Sequence, residues 1–189
     1  MTPGLHDLIQ AALDATRRGR PDDAEPLLRR AAQEHPEAAV PHLLLAAQFA
    51  DAGQNDLAEG AYLDCLVRAP ELELARFQLG LLHLTNGRAA VAEANWRPLL
   101  DRGDAHPLKS FAQGLLEILR GRAESARHLI KEGMVLNVEN QDLNTDMQGV
   151  LARLDAAVAS SGGDAPSGVD DGEEATLLGH FLISSYRTS

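Results

Sequence analysis

The stretch GRAAVAEANW, residues 87–96, places a glycine five residues ahead of Ala92 and ends on the single tryptophan of the chain. The same pair recurs at intervals of 34 residues, as Gly19, Gly53, Gly87 and Gly121 with Ala24, Ala58, Ala92 and Ala126. A glycine takes the positive φ that ends many helices, and an alanine lets two helices approach closely. The spacing therefore predicts a repeated helix–turn–helix unit, with a turn at each glycine and a close helix contact at each alanine.

This pattern resembles the tetratricopeptide repeat, a 34-residue helix–turn–helix unit. The third unit carries Leu79, Gly80, His83, Ala92 and Trp96 at the family positions. The second unit carries Leu45, Ala46, Phe49, Ala58, Tyr62 and Pro70. The chain departs from the family at the leading tryptophan, which is replaced by Leu8, His42, Arg76 and Ser110, and at the closing proline of the last two units, where Asp104 and Val138 stand. The resemblance implies an all-α, right-handed helical solenoid of four repeats over about residues 5–140.

The period and the apolar spacing predict eight paired helices near 5–18, 22–35, 39–52, 55–69, 73–86, 89–103, 107–120 and 123–136. Pro98 lies inside the sixth helix and is expected to kink it or end it early. A ninth helix near 142–159 is expected to cap the array, as repeat proteins require. The predicted organisation is a solenoid with its capping helix over 1–160, a flexible acidic linker over 161–172 and an amphipathic C-terminal segment over 173–189.

In the tetratricopeptide family the first helix of each pair lines a concave groove. The groove positions that the resemblance assigns to this chain are Ile9, Leu13, Leu43, Ala47, Phe77, Leu81, Leu84, Phe111, Leu115 and Ile118. All ten are nonpolar, so the expected ligand is an apolar peptide, helical or extended. Members that hold a C-terminal carboxylate use Lys, Asn and Arg at such positions, which argues against that mode here. The alternative is that some of these side chains pack between helices as ordinary core.

The C-terminal segment carries an apolar stripe of Leu177, Leu178, Phe181 and Leu182. Burying four such side chains is worth roughly 6–12 kcal/mol before ordering costs, so the stripe is expected to seek a surface. A linker of about a dozen residues spans roughly 20 Å. The hypothesis is that this tail occupies the groove in cis, or in a neighbouring chain to form a homodimer. The alternative is a disordered tail or a docking peptide for another protein.

The net charge of −11 argues against nucleic acid, which requires clustered Lys and Arg. We expect no membrane insertion, because no apolar run is long enough to span a bilayer. The single cysteine, Cys65, excludes an internal disulfide, and the N-terminal residues do not resemble a signal peptide. Arginine outnumbers lysine, which hints at a GC-rich genome. A bacterial, cytoplasmic protein is expected.

No enzyme, metal or cofactor is expected, because the seven histidines lack metal-binding spacing and Cys65 lacks the signs of a nucleophile. Packing is the expected role of His42, His83 and Cys65. The asparagines of residues 137–144 form either a polar recognition loop or helix caps. The function expected is that of a protein-interaction scaffold or adaptor, with a chaperone for a secreted or membrane-associated client as the alternative.

Overall fold

The computed structural model describes residues 3–160, and within that range the chain is helical with short turns and no strand. The helices are α1 Leu5–Arg17, α2 Pro21–Glu34, α3 Ala39–Asp51, α4 Asn55–Arg68, α5 Glu73–Thr85, α6 Ala89–Leu100, α7 Pro107–Leu119, α8 Ala123–Leu136 and α9 Gln141–Ser160. First helices begin at 5, 39, 73, 107 and 141, and second helices at 21, 55, 89 and 123. Both series have the 34-residue period that the sequence predicts, so the all-α repeat fold is confirmed.

The four glycines have the backbone conformation expected of them. Gly19, Gly53, Gly87 and Gly121 have φ between 68° and 73°. After Gly87, the Arg88 N–H donates to the His83 carbonyl at 2.8 Å, and Gln54, after Gly53, donates to the Phe49 carbonyl at the same distance. These bonds are those of a Schellman motif, which satisfies carbonyls left open at a helix end. Each first helix therefore ends at its glycine for a local reason.

The four repeat alanines are fully buried, each at 0 % exposure, as the sequence predicts. A close helix pairing around one of them is seen between α7 and α8. A Cβ placed on Gly114 would lie 2.6 Å from Ile130 Cγ1 and 3.2 Å from the Ala126 carbonyl oxygen. A Cβ on Gly133 would lie 2.6 Å from the Phe111 ring. These two helices therefore approach closely because small residues face large ones across the contact.

Proline 98 shortens its helix. The helix α6 has 12 residues and ends at Leu100, whereas α2, α4 and α8 have 14 each. Proline lacks the N–H that the Ala94 carbonyl would accept from, and its ring crowds that carbonyl. The early end is therefore confirmed. Lys109 then holds the following turn, since its Nζ donates to the Arg102 carbonyl at 2.8 Å and to Asp104 Oδ1 at 2.9 Å.

The chain divides into two compact units, Met1–Leu82 and His83–Ser189, with the boundary inside α5. In the first unit, small residues of α1, α2 and α3 surround Leu28, Phe49 and Tyr62 in one apolar cluster. Arg29 lies over the Phe49 ring, 5.5 Å from its centroid. In the second unit, Trp96, Phe111, Ile130 and Met147 are each 0 % exposed. Leucine and alanine fill most of both cores, as the low aromatic content predicts.

The helix α9 begins one period after α7 and buries one face. Leu143, Met147, Val150, Leu151 and Leu154 are buried. Its exposed side chains include Thr145, Gln148, Ala152 and Asp155, which are polar or small. Thr145 and Gln148 stand one repeat after Phe111 and Gly114, which pack against α8. The outward face of α9 therefore has the polar character that a capping helix needs.

Candidate functional site

The ten predicted groove positions fall into two groups by exposure. Ile9, Leu13, Leu43 and Ala47, on α1 and α3, are part-exposed. The other six side chains are buried, and they are Phe77, Leu81, Leu84, Phe111, Leu115 and Ile118. Burial of these six is the packing role that the sequence analysis weighed as the alternative to a groove.

Phe111 shows what such burial means. Its ring lies 2.6 Å from where a Cβ of Gly133 would stand, so the ring fills the α7–α8 contact of its own repeat. Phe111 and Leu115 are both 0 % exposed. A side chain in this position stabilises the fold and offers no surface to a ligand. The expectation that Phe111 faces an open groove is therefore corrected by its contact with α8.

The four part-exposed side chains form two short apolar lines. Ile9 and Leu13 are four residues apart on α1, as are Leu43 and Ala47 on α3, so each pair lies on one side of its helix. The two pairs occupy equivalent positions of consecutive repeats, 34 residues apart. Leu43 packs in part against the apolar cluster of the first unit. Leu43 is thus held by the core on one side while part of its surface stays open to solvent, as a residue that contacts a ligand must be.

A largely buried histidine on α3, His42, has a lowered pKa. His42 Nδ1 lies 3.9 Å from Asp64 Oδ2, and the His42 side chain is 12 % exposed. Burial, together with the Arg68 guanidinium, lowers the pKa of His42 more than Asp64 raises it. Arg68 itself donates to the Pro36 carbonyl at 2.6 Å and so ties α4 to the turn before α3. The surroundings of His42 fit the packing role predicted for it.

In the fourth repeat an ion pair replaces the aromatic residue of the family pattern. Glu117 Oε1 accepts from Arg120 Nη1 at 3.0 Å and from Arg122 Nη2 at 2.6 Å. Burial raises the pKa of the Glu117 carboxyl, but the hydrogen bonds from Arg122 and Arg120 outweigh it and hold that pKa below its usual range. Arg120 also reaches Glu93 Oε1 at 3.4 Å. This network links α6, α7 and the turn at Gly121.

The asparagines after α8 are capping residues. Asn140 Oδ1 accepts from the Leu143 N–H at 3.0 Å, which caps the start of α9. Asn144 Nδ2 donates to the Asn137 carbonyl at 2.9 Å, and Asn137 Nδ2 donates to Asn144 Oδ1 at 2.8 Å. Of the two alternatives for this stretch, the hydrogen bonds support capping over a recognition loop.

The histidine, cysteine and acidic side chains of the described part of the chain are scattered rather than clustered. Among residues 3–160, no cluster of three or more His, Cys, Asp or Glu side chains is arranged to hold a metal ion. Cys65 is a buried free thiol, and burial raises its pKa despite the opposing effect of Arg68. None of the helices within the same range combines the length and apolar character needed to cross a membrane. The tail residues Leu177, Leu178, Phe181 and Leu182 lie outside the described residues.

One exposed apolar surface was missed by the sequence reasoning. Leu57, Leu63 and Val67 on α4 are 51 %, 49 % and 78 % exposed. They lie on the second helix of their repeat, whereas the groove positions predicted from the family all lie on first helices. A comparison of equivalent positions across the four repeats would have found them, because the other repeats carry charged or polar residues at most of these positions.

Comparison with known proteins gives a fold match. No protein-family model and no curated protein sequence matches the chain. Solved structures do match: MamA 41-end from Desulfovibrio magneticus RS-1 has a TM-score of 0.60 and 15 % identity, covering 100 % of this chain and 99 % of that one. The MamA RS-1 ArsTM double mutant has a TM-score of 0.59 and 15 % identity, covering 100 % and 97 %. Together with the 34-residue period, the glycine turns and the buried alanines, these matches show that the chain has the fold of the tetratricopeptide-repeat proteins.

Proposed function

We propose that the chain is a protein-interaction scaffold that binds an apolar segment on the first helices of its first two repeats. The observation that carries this proposal is the pair of part-exposed apolar lines, Ile9 with Leu13 and Leu43 with Ala47. Helices pack into such surfaces through side chains at i and i+4. The six buried groove positions offer no surface to a ligand.

The proposed first occupant is the C-terminal segment, residues 173–189, bound in cis or exchanged between two chains. Its stripe of Leu177, Leu178, Phe181 and Leu182 supplies the apolar spacing that the surface would accept. An external partner would then compete with the tail for the same site. Tethering the tail sets a high effective concentration, so such competition would act as a threshold on partner affinity.

The test is a titration of a labelled peptide of residues 171–189 onto a chain truncated after Ser160. Saturable binding is expected, and Leu13→Ala should weaken it several-fold, since alanine removes a central apolar contact. Val135→Ala is the matched control, because Val135 is an apolar residue that is 79 % exposed on α8 and is not one of the proposed contact residues. Phe77 and Leu115 are unsuitable for this test, since both are fully buried and their truncation would destabilise the fold.

Two other results would redirect the proposal. No saturable binding at millimolar peptide would refute the tail as occupant. Binding that Leu13→Ala leaves unchanged would refute this surface as its site. A chaperone for a secreted or membrane-associated client is the alternative function. It predicts that the full chain is recovered in a soluble complex only when the client is co-expressed, and that unfolded client protein competes with the tail peptide.

A further inference from the structure

The second helix of the second repeat has an exposed face unlike those of the other repeats. This α4 outer face consists of Leu57, Gly60, Leu63 and Val67, which are spaced three, three and four residues apart and are all exposed. Such spacing keeps the four residues on one side of the helix. The equivalent positions in the other three repeats are exposed as well. Exposure at this line is thus a property of the repeat. The third and fourth repeats each place one exposed valine there, Val91 and Val135, and only the second repeat has large apolar side chains at three of the four positions.

The second repeat departs most clearly from the other three at Leu63. Where the second repeat has Leu63, the other repeats carry Arg29, Arg97 and Lys131. A cation is therefore the usual solution at this exposed position, because its charged end stays in water. Leu63 is 49 % exposed and gains little from the fold at that part of its surface. A leucine there is better explained by a contact that buries it.

Gly60 gives an independent observation on the same face. Glycine in a helix interior is less favourable than alanine. Gly114 and Gly133, on α7 and α8, have a packing reason, since a Cβ on either would clash with the facing helix, whereas a Cβ on Gly149 of α9 would make only ordinary contact with Arg153. A Cβ on Gly60 would meet no atom within 4 Å. The fold does not require this glycine, whereas a second backbone packed closely against α4 would.

Charge decides which helix fits. Asp56 and Asp64 share the exposed side of α4 with the apolar residues, and Asp64, which pairs with Arg68, is 59 % exposed. A depression of about 430 Å³, lined by residues 53–57, adjoins Asp56 and Leu57 at one end of the face. A second copy of the chain would bring the same carboxylates together in a two-fold pairing. The C-terminal residues 161–189 hold five carboxylates and one arginine, so they are also disfavoured.

We propose that the α4 outer face binds an amphipathic helix of another protein, with an apolar stripe flanked by Lys or Arg. Its leucine-sized side chains contact Leu57, Leu63 and Val67. Its backbone approaches Gly60, and its cations lie near Asp56 and Asp64. This surface is separate from the apolar lines on α1 and α3, so it provides the scaffold with a second binding site.

The probe is a labelled synthetic helix of about 20 residues, with leucines at i, i+3, i+4 and i+7 and lysines beside them. A second peptide has the same leucines and glutamates in place of lysines. Both are titrated onto the full chain at low and high salt. The lysine peptide is expected to bind saturably and more weakly as salt rises. The glutamate peptide is expected to bind at least tenfold more weakly.

Variants then locate the site. Leu63→Gln should weaken lysine-peptide binding about tenfold, because it removes an apolar contact without adding charge. Gly60→Ala should raise the melting temperature by roughly 2–4 °C while weakening binding, an opposition that a purely structural glycine would not show. Val135→Gln is the matched control, since Val135 has the repeat position of Val67 and equal exposure. Val135→Gln and Leu13→Ala should leave binding unchanged.

Four outcomes would overturn the proposal. The first is that the lysine peptide does not bind saturably even at millimolar concentration. The second is that the lysine and glutamate peptides bind equally well. The third is that Leu63→Gln leaves the affinity for the lysine peptide unchanged. The fourth is a different occupant, shown either by a dimer that Leu63→Gln dissociates or by a peptide of residues 171–189 that displaces the probe. Binding of that tail peptide at the α1 and α3 surface is read separately through Leu13→Ala, so either site can fail without the other.

Discussion

Replacing Gly133 by alanine should destabilise the protein, although the same change at Gly60 should stabilise it. Both glycines lie inside second helices, where alanine is favoured by about 1 kcal/mol. At Gly133 the added Cβ would stand 2.6 Å from two carbon atoms of the Phe111 ring. Carbon atoms pack at about 3.5–4.0 Å, so the overlap is near 1 Å. The ring is fully buried and cannot swing aside.

Overpacking of this kind costs about 1–3 kcal/mol. An overlap near 1 Å against a fully buried ring falls in the upper part of that range, about 2–3 kcal/mol, so after the helix-propensity gain of about 1 kcal/mol the net loss for Gly133→Ala is about 1–2 kcal/mol. A chain of this size loses roughly 2–4 °C in melting temperature per kcal/mol, so the expected decrease is roughly 2–8 °C. Gly60→Ala, with open space around its Cβ, should instead raise the melting temperature by roughly 2–4 °C. The two changes in melting temperature have opposite signs because the added Cβ meets the Phe111 ring at Gly133 and meets no atom within 4 Å at Gly60.

The assay is thermal unfolding followed by circular dichroism and calorimetry, with separate transitions fitted if the two units unfold independently. A double variant, Phe111→Ile with Gly133→Ala, copies the pair Ile9 and Ala31 from the first repeat. It should recover part of the loss, and the coupling free energy should be about 1 kcal/mol. Equal stabilisation by the two alanines, or strict additivity in the double variant, would refute the argument from the Phe111 contact.

Three further changes test local interactions. Glu117→Gln should lose about 1–2 kcal/mol at pH 7, because Arg120 and Arg122 hold the carboxylate. Since the folded pKa of Glu117 is lowered, this stability is present above about pH 4.5 and is lost as the pH falls further, which urea unfolding at several pH values will show. His42 has a lowered pKa, so its contribution to the free energy of unfolding is complete above about pH 6.5 and declines as the pH falls. His42→Gln should therefore make the free energy of unfolding depend less on pH below about pH 6.5. Gly87→Ala should lose about 1–2 kcal/mol by chemical denaturation, because φ is +73°.

The helix positions could be predicted closely from the sequence because their causes are local. A glycine with positive φ and an alanine at a helix contact recur in each of the four repeats, so the ends of the helices can be predicted to within a few residues. The largest difference from the predicted ranges is the end of α6, at Leu100 rather than 103, which is the helix that Pro98 was expected to kink or end early. Pro98 lies near that end, and Lys109 holds the turn that follows through its hydrogen bonds to the Arg102 carbonyl and to Asp104.

The candidate site was harder to predict, because spacing identifies the side of a helix and gives no measure of depth. Ile9 and Phe111 occupy the same repeat position, yet Ile9 is part-exposed and Phe111 is fully buried. The difference depends on what faces each residue, such as Gly133 opposite Phe111. In the same way, the pairing of Glu117 with Arg122 requires the chain to reverse at Gly121, which only the folded turn reveals.

A repeat protein carries its own reference for deciding which residues the fold explains. The backbone is nearly the same in each unit, so a position shared by four repeats experiences similar local demands. Positions filled alike, such as the four glycines and four alanines, satisfy those demands. A residue that departs from its equivalents needs another cause. For Glu117 the cause is found within the chain, in Arg120 and Arg122. For Leu63, exposed where the other repeats place Arg or Lys, the described residues supply none, and a partner helix is the cause that the α4 outer face points to.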